Sequence, residues 1–230
     1  MKSVAIITAR GGSKRIPRKN VKPFMGRPMI AYAIAAALES KLFDEVMVST
    51  DDAEIAETAK AHGAAVPFLR SAATANDFAT TADVLNEVIA AYAKLGVAFD
   101  EFCCIYPCVP FLTGELLREA HDVFAAGAAD SLMPVVKYSF PIQRAVRRNA
   151  EGFLEYREPE NKLKRSQDLE PMYHDVGMFY FHKTASFCAK NARMAMFEMP
   201  EERVQDIDTL DDWKMAEMKY KILCGQKGNV

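Results

Sequence analysis

Residues 2–20 read KSVAIITARGGSKRIPRKN, and the fold class can be inferred from this segment and its surroundings. Its first part, residues 2–9, is short, apolar and rich in β-branched side chains, a pattern that predicts a buried parallel strand. The strand runs directly into a loop with two glycines and many basic residues. In α/β domains, ligands bind beyond the carboxyl ends of the parallel strands, so we expect this loop to face a ligand.

Strand and helix patterns alternate from this loop to residue 136. We therefore expect an α/β fold with a doubly wound, mostly parallel, Rossmann-like sheet. The further predicted strands are 44–50, 66–69, 101–106 and 131–136, and the predicted helices are 28–39, 81–95, 114–126 and one that begins after Asp51 or Asp52 and stops at Gly63.

A charge-rich segment, residues 137–175, interrupts this alternation. It contains apolar anchors and a predicted hairpin around residues 149–152. We therefore expect an ordered arm inserted into a core of residues 1–136 and 176–230. The remaining predicted elements of the core are a strand over 177–181 and a helix over 211–223.

The composition indicates an ordinary globular protein. The 230 residues are 50 % hydrophobic, which is enough for one domain with a buried core. No apolar run approaches the ~18 residues of a membrane span, so we expect no membrane partner, no secretion signal and a cytoplasmic location. Five cysteines without a CxxC pair favour reduced thiols in the core over disulfides or a zinc site. These are Cys103, Cys104, Cys108, Cys188 and Cys224.

Positive charge is concentrated near the start of the chain. Residues 10–22 contain six lysines and arginines and no acid, so a chain with a net charge of −2 carries −8 elsewhere. A nucleic-acid-binding protein usually spreads its basic residues over a whole face, so we expect no nucleic-acid partner. One short basic loop suits a compact polyanion such as a nucleoside triphosphate.

The chemistry of the loop also fits a phosphate ligand. Gly11 and Gly12 let backbone N–H groups turn towards an anion, and the neighbouring lysines and arginines neutralise phosphate charge. The loop matches neither the GxxxxGK[ST] pattern nor the GxGxxG pattern, and a solvated basic turn is the alternative interpretation.

A pair of aspartates, Asp206 and Asp208, lies near the other end of the chain. In an extended segment, residues two apart point to the same side, so both carboxylates could share a divalent cation such as Mg²⁺. The alternative is capping of the helix that follows, although Thr209 or Asp211 already suits that purpose.

Two further segments carry polar residues in a less specific pattern. FLR at 68–70, with small and hydroxyl residues over 77–81, suits a loop that grips a flat base. Arg165, followed by YHD at 173–175, suits the carboxylate of a sugar acid, or else an ordinary surface salt bridge. We find no convincing Ser-His-Asp or Cys-His arrangement, so no covalent intermediate is expected.

Five motifs recur in the order and spacing of a known family. They are ARGGSKRIPRKN at 9–20, STDD at 49–52, FLR at 68–70, YPCVPF at 106–111 and QDIDT at 205–209. With these motifs the chain resembles, over nearly its whole length, the CMP-sugar-acid synthetases, the cytidylyltransferases of sialic, legionaminic, pseudaminic and Kdo-type acids. RIPRKN, KPF and the YP of the central motif are most similar to the pseudaminic acid branch.

The resemblance implies a nucleotidyltransferase fold, a homodimer with residues 137–175 as the dimerisation arm, and Mg²⁺ as cofactor. It implies that the anomeric hydroxyl of a sugar acid attacks the α-phosphorus of CTP and that pyrophosphate leaves. By motif position, the resemblance implies that the catalytic residues are Arg10, Lys19, Asp206 and Asp208, the last two as metal ligands. The implied nucleotide-binding residues are Arg10, Gly11, Gly12, Ser13, Lys14, Lys19, Asn20, Arg70, Ala79 and Thr81. The implied sugar-binding residues are Tyr106 and Met178, together with Arg165 and Gln167, which would reach towards a partner's pocket.

Two positions depart from the family pattern. Tyr106 stands where sialic acid enzymes usually have Gln, and Met178 stands where pseudaminic acid enzymes tend to have the polar residue of DAGQFYW. Methionine cannot replace the hydrogen bonds of an amide. Besides pseudaminic acid, a sialic, legionaminic or Kdo-type acid fits the sequence. The sequence also fits two other functions. One is a UTP- or GTP-dependent transferase that acts on a neutral sugar phosphate, and the other is a non-catalytic CTP-binding homologue.

Overall fold

The computed structural model describes residues 1–226, over which strands and helices alternate. No helix in this part of the chain has both the length and the apolar character to cross a membrane. The strands are β1 (Ser3–Thr8), β2 (Pro23–Phe24), β3 (Arg27–Pro28), β4 (Glu45–Ser49), β5 (Glu101–Ile105), β6 (Ser131–Lys137), β7 (Val146–Arg148), β8 (Leu154–Tyr156), β9 (Tyr173–Asp175), β10 (Phe179–Lys183) and β11 (Met194–Glu198). The helices are α1 (Ile30–Ser40), α2 (Ala53–Ala61), α3 (Thr81–Lys94), α4 (Gly114–Ala126) and α5 (Leu210–Gln226).

Seven strands form the central sheet, in the order β11-β6-β10-β5-β1-β4, with β9 also paired to β6. β1 pairs in parallel with β4 and β5, and β11 pairs in parallel with β6. β10 runs antiparallel to both of its neighbours, and β9 runs antiparallel to β6. The predicted α/β fold with a mostly parallel sheet is therefore confirmed, with β9 and β10 as the antiparallel members.

Helices cover both faces of the sheet. The side chains of each strand point alternately to the two faces, so both faces present apolar side chains to the helices. On β1, Ala5 and Ile7 belong to the apolar core formed with α1, α2 and α4. Val4 and Ile6 belong to a second core formed with α3. The prediction of a doubly wound sheet is therefore confirmed, and all ligand-facing loops can gather at the carboxyl ends of its parallel strands.

A third apolar cluster joins the basic loop to the C-terminal helix. Ile16 of the loop and Ile207, just before α5, are each 1 % exposed and both belong to this cluster. Phe24 packs edge-on against Trp213 of α5, with ring centroids 5.4 Å apart. Residues 206–208 are therefore held beside the basic loop, although the two segments lie near opposite ends of the chain.

Two predicted elements differ from the structure, and one strand of the structure is not predicted by the sequence. The strand predicted over 66–69 is wrong, since this part of the chain joins β4 through an isolated bridge between Met47 and Ala65. Pro67 has no N–H to donate to a ladder, which explains the failure to form one. Pro28 lies in β3 rather than at the start of a helix. β11 was not predicted, because its sequence MAMFE contains no β-branched residue.

The inserted arm contains the predicted hairpin, in which β7 pairs with β8 and Val146 lies opposite Tyr156. The core strands extend further than expected, because Lys137 of β6 pairs with Tyr173 of β9. The chain therefore leaves the central sheet over residues 138–172, rather than over the whole of the arm defined from the sequence.

Candidate active site

A cleft of about 590 Å³ opens at the carboxyl ends of β1 and β5. Its walls come from the basic loop, from the N-terminus of α3 and, from the far end of the chain, from Asp208. We call it the first cleft. The predicted site residues that line it are Arg10, Ser13, Lys14, Lys19, Asn20, Arg70, Ala79, Thr81, Tyr106 and Asp208.

The two glycines of the basic loop have different surroundings, and neither lines the first cleft. The N–H of Gly11 donates a hydrogen bond to Oδ1 of Asp51 at 2.9 Å, and a Cβ on Gly11 would lie 2.9 Å from Oδ2 of Asp52. A Cβ on Gly12 would meet nothing within 4 Å. Gly11 is thus required for close packing against the end of β4, whereas Gly12 leaves the loop open on its other side.

Asn20 and Lys19 close the loop and tie it to the aspartate motif. Nδ2 of Asn20 donates to the carbonyl of Arg10 at 2.9 Å, which joins the two ends of the loop. Nζ of Lys19 donates to the carbonyl of Ile207 at 2.7 Å and lies 3.7 Å from Oδ1 of Asp208. The structure therefore gives Asn20 a position inside the loop scaffold and places the Lys19 ammonium between the loop and Asp208.

Arg18 contacts the start of α2 and does not line the first cleft. Its guanidinium donates to both carboxylate oxygens of Asp52, at 2.5 and 3.0 Å, and also pairs with Glu54. The hydrogen bond from Arg18 lowers the pKa of Asp52 to about 2. Asp52 in turn caps α2 by accepting from the N–H of Ile55. Arg18 therefore fixes the outer part of the loop to α2.

The remaining cations of the loop are paired with exposed carboxylates. Asp77 bridges Lys14, at 2.6 Å, and Arg10, at 2.7 Å, and these two partners hold the pKa of Asp77 below its usual value. Arg15 pairs with Asp208 at 2.8 Å. A polyanion that enters the cleft must compete with these carboxylates, and exposed ion pairs of this kind are weak.

The opposite wall is formed by Arg70 and the start of α3. Arg70 is buried and donates to Oγ and to the carbonyl oxygen of Ser49, at 3.1 and 2.7 Å. Burial lowers its pKa, but an arginine stays charged in proteins. Thr80 caps α3 in a capping box with Asp83, and both Thr80 and Thr81 line the cleft. The positive end of the helix dipole therefore adds to the charge of Arg70.

A second cleft, of about 460 Å³, lies on the other side of the aspartate motif. Asp206 lines this second cleft, whereas Asp208 lines the first, and the buried Ile207 separates them. The expectation that both carboxylates face one pocket is therefore corrected: they face adjoining ones. The residues that line the second cleft are Val136, His174, Asp175, Val176, Gly177, Glu201, Val204, Gln205, Asp206 and Lys219.

Cys108 packs against the third apolar cluster, which contains Ile207, the residue between the two aspartates. The thiol of Cys108 donates to Oδ1 of Asn20 at 3.4 Å. Burial is the main cause that raises its pKa to about 12, with Lys19 opposing the rise and the charges of Asp206 and Asp208 adding to it. No group of three or more His, Cys, Asp or Glu side chains within residues 1–226 is arranged to hold a metal ion. A cation at the aspartate motif would be bound by the carboxylates of Asp206 and Asp208 and by oxygens of a ligand.

A pair of tyrosines lies beside the two clefts, because Tyr106 lines the first cleft and Tyr180 is hydrogen-bonded to Asp175 of the second. The hydroxyl of Tyr106 lies 3.4 Å from Oγ1 of Thr81, and its ring packs edge-on against Tyr180 at 5.6 Å. The hydroxyl of Tyr180 donates to Asp175, at 2.7 and 2.9 Å from its two oxygens, and burial raises the pKa of Tyr180. Gly177, with φ of +64°, makes the break between β9 and β10 that sets Asp175 and Tyr180 side by side.

The predicted sugar-binding residues are not brought together. Tyr106 lines the first cleft, but Met178 is 3 % exposed and packs in the apolar core, so its expected position facing a sugar is corrected. Arg165 and Gln167 lie exposed on the arm, and Arg165 pairs with Asp168 at 2.8 Å. Their action on a partner's pocket stays a prediction.

The prediction that the cysteines are core residues holds for only part of the set. Cys103 and Cys104 are buried, and Cys108 lies beneath the site, beside Asn20. Cys188 is exposed, because it occupies a turn with φ of +64° after β10. The side chain of Cys224 lies outside the described residues.

Several site residues have no role that the sequence alone assigns. Arg15 contributes only to the charge of the loop, and Asp77 is only a neighbour of the predicted base-binding residues. Glu201 and Lys219 line the second cleft without any local motif, and the position of Lys219 depends on the packing of α5 in the third apolar cluster, against Ile16 and Phe24. Charged residues along α5 are typical of any exposed helix, so the sequence does not distinguish Lys219 as a binding residue.

Comparison with known proteins identifies the family. A family model for cytidylyltransferases matches residues 4–207. The chain is 37 % identical over 226 residues to the pseudaminic acid cytidylyltransferase of Campylobacter jejuni subsp. jejuni serotype O:2, covering 96 % of this chain and 97 % of that protein. It is 32 % identical over 226 residues to the CMP-N,N'-diacetyllegionaminic acid synthase of Legionella pneumophila, covering 94 % of this chain and 95 % of that protein.

Solved structures support the fold. CMP:2-keto-3-deoxy-manno-octonic acid synthetase complexed with CTP is similar with a TM-score of 0.69 at 20 % identity, covering 99 % of this chain and 100 % of that one. This likeness is to a nucleotidyltransferase with a Rossmann-like sheet, the fold expected from the sequence. The family match, the relatives and the motifs at 9–20 and 205–209 agree, and the chain belongs to the cytidylyltransferase family.

Proposed function

We propose that this cytidylyltransferase transfers CMP from CTP to the anomeric hydroxyl of a nonulosonic sugar acid and releases pyrophosphate. Pseudaminic acid is the first candidate acceptor, because the C. jejuni relative is named for it and the RIPRKN and KPF motifs point to the same branch. Sialic, legionaminic and Kdo-type acids are the alternatives. The observation that carries the proposal is one cleft lined by both the basic loop and Asp208.

The triphosphate of CTP would lie on the basic loop. Arg10 and Lys14 are both paired with the exposed carboxylate of Asp77. Phosphate oxygens of higher charge would replace this carboxylate as their partner. Cytosine would lie against Arg70, Ala79 and Thr81, where a fixed guanidinium and the N-terminus of α3 offer hydrogen-bond donors.

The same site fits Mg²⁺, which typically takes one or two carboxylates together with phosphate oxygens. Asp206 is exposed, and within the described residues its carboxylate has no ion-pair or hydrogen-bond partner. Asp208 is paired with Arg15, an exposed contact that a divalent cation can displace. When bound to these carboxylates, Mg²⁺ would neutralise charge on the phosphates.

The rest of the chemistry is positioning and charge neutralisation by the chain itself. Lys19 is 20 % exposed and anchored to the carbonyl of Ile207, so its ammonium is held in place at the aspartate motif. Arg10 and Lys14 would stabilise the charge that develops on the departing pyrophosphate. No covalent intermediate with the protein is needed, since the acceptor hydroxyl attacks the α-phosphorus directly.

We also propose that the arm pairs two copies of the chain. Phe140, Phe153 and Leu163 on the arm are 85, 68 and 91 % exposed, and large apolar side chains exposed together mark an interaction surface. Arg165 and Gln167 would then approach the partner's acceptor site. Light scattering should give twice the monomer mass for the wild type and a monomer for Leu163→Asp. A monomeric wild type would overturn this part of the proposal. The cytoplasmic location stays a prediction.

Pyrophosphate release tests the proposed function directly. The purified chain is incubated with CTP, Mg²⁺ and, in separate reactions, pseudaminic, legionaminic, sialic and Kdo acids. We expect release with at least one acid and the fastest release with pseudaminic acid. CTP binding without release across the whole set would favour a non-catalytic CTP-binding homologue. The buried position of Met178 removes the sequence feature that suggested such a homologue.

Nucleotide choice separates the proposal from a UTP- or GTP-dependent transferase. A ligand that binds only the native state raises its melting temperature, by an amount that follows its affinity. CTP should therefore give a larger shift than UTP or GTP at equal concentration. A larger shift with UTP or GTP would contradict the assignment of the base.

A further inference from the structure

We propose that the second cleft receives the sugar acid and that Lys219 binds its carboxylate, so that Lys219 selects acidic acceptors. The inference rests on the proposed function, and it deepens that function by placing the acceptor within a single subunit. Its starting point is the position of the second cleft. Asp206 lines this cleft and Asp208 lines the first, so a molecule in the second cleft lies directly beside the proposed phosphate site.

The charges of the second cleft leave one clear place for a carboxylate. Asp175, Glu201 and Asp206 line it, and without a cation they would repel an acidic sugar. Lys219 is the only lysine or arginine among the described residues that line this cleft. It projects from α5 and belongs to none of the five motifs.

Lys219 is held in the cleft but not neutralised there. Its Nζ donates one hydrogen bond, to the carbonyl of Val204 at 2.9 Å. No carboxylate lies within 4 Å of this nitrogen in the described part of the chain. An ammonium group has three donors, so two remain for a ligand.

Two of the acids in the cleft already have their own donors. Both oxygens of Glu201 accept from the hydroxyl of Ser139, each at 2.9 Å. Asp175 accepts from the hydroxyl of Tyr180 and from the N–H of Gly177. Lys219 is therefore available to an incoming carboxylate, and Asp206 is the one acid of this cleft without a donor among the described residues.

Arg165, the residue expected from the sequence to bind the carboxylate, has a different situation. It lies outside both clefts of its own subunit and makes two hydrogen bonds to Asp168, at 2.8 and 3.1 Å. Only a second copy could bring Arg165 to the acceptor. The carboxylate of the acid is therefore bound either by Lys219 of the same subunit, as we propose, or by Arg165 of a second copy. These two assignments predict different effects of substitution.

The test compares Lys219→Gln with the wild type, using pseudaminic acid or whichever acid of the set the wild type uses. Glutamine keeps a donor for the carbonyl of Val204 and removes the charge. We expect KM for the acid to rise about 10- to 100-fold, the loss expected for a hydrogen bond to a charged group, while KM for CTP changes less than about twofold. Lys219→Arg should restore most of the affinity. Lys214→Gln is the matched control, because Lys214 lies on the same helix, exposed and paired with Asp211.

The methyl ester of the acid supplies a readout that a structural role would not change. The wild type should prefer the free acid to its ester, and Lys219→Gln should lose most of that preference. An unchanged preference, or equal rises of KM for the acid and for CTP, would overturn the assignment of Lys219. Loss of the preference in Arg165→Gln but not in Lys219→Gln would assign the carboxylate to the arm instead. A wild type without activity towards any acid refutes the proposed function itself, which is a separate outcome.

Discussion

Acid should destabilise this protein through one partly buried histidine, His182. It lies on β10 between the rings of Phe102 and Phe187, with centroids 5.1 and 5.0 Å away. Burial lowers its pKa from 6.5 to about 4. β10 also carries Tyr180, which packs against Tyr106 of the first cleft and donates to Asp175 of the second, so loss of this strand's packing affects the site as well as the sheet.

The sign and the size follow from proton linkage. Between pH 6.5 and pH 4 the unfolded chain protonates His182 while the folded chain does not, so the unfolded state binds more protons and stability falls as the pH falls. A displacement of about 2.5 pKa units corresponds to about 3 kcal/mol of unfolding free energy, lost in full once the pH reaches about 4. His121 does not act in this window, because its hydrogen bond with Glu101 raises its pKa and moves its effect above pH 6.5.

Urea unfolding of the wild type and of His182→Phe at a series of pH values isolates this histidine. Phenylalanine suits the two neighbouring rings and carries no titratable group, and the carboxylates that titrate near pH 4 are common to both proteins. Between pH 6.5 and pH 4.5 the wild type should lose about 2–3 kcal/mol more than the variant. Stability curves that stay parallel over this range would show that His182 is not kept neutral by its surroundings.

Three further predictions concern packing and the nucleotide site. Gly114→Ala should destabilise the fold by about 1–3 kcal/mol, because its Cβ would lie 2.7 Å from the backbone nitrogen of Ser40. Thermal unfolding should show little change in the control Gly127→Ala, whose Cβ would make an ordinary 3.5 Å contact; equal melting temperatures for both variants would contradict this. Asp208→Asn should lower kcat by about 10²–10⁴ without a change in melting temperature, and a full-rate variant would exclude Asp208 from the metal site. Asp77→Asn should bind CTP more tightly in calorimetry, because the carboxylate that competes for the basic loop is gone; unchanged or weaker binding would contradict that competition.

The parts of the fold that could be predicted are those with a local physical cause. The apolar run of β1, the capping residue Asp52 before α2 and the apolar spacing of α4 each determine their own element. The basic loop could be assigned to the carboxyl edge of the sheet because it follows β1 directly. The meeting of this loop with Asp208 could be inferred from the charge pattern and the family resemblance.

The parts that could not be predicted depend on contacts between distant segments. β9 and β10 are two halves of an antiparallel run that Gly177 interrupts, and neither half reveals its direction locally. Met178 lies in a motif that suggested a ligand, but the bend at Gly177 turns it into the core. Lys219 enters the second cleft only because α5 packs against the basic loop.

The division of the aspartate motif between two clefts follows from the burial of Ile207. This residue packs with Phe24, Trp213 and Ile16 in the third apolar cluster, whereas its neighbours Asp206 and Asp208 are exposed and partly exposed. Asp208 contacts the cations of the basic loop, and Asp206 lines the second cleft together with His174 and Asp175 of β9. Because the same cluster buries Ile16 of the loop, one set of apolar contacts determines both the distance from loop to aspartates and the separation of the clefts. Loosening this cluster would therefore separate donor and acceptor sites while the central sheet, whose core lies elsewhere, stays folded.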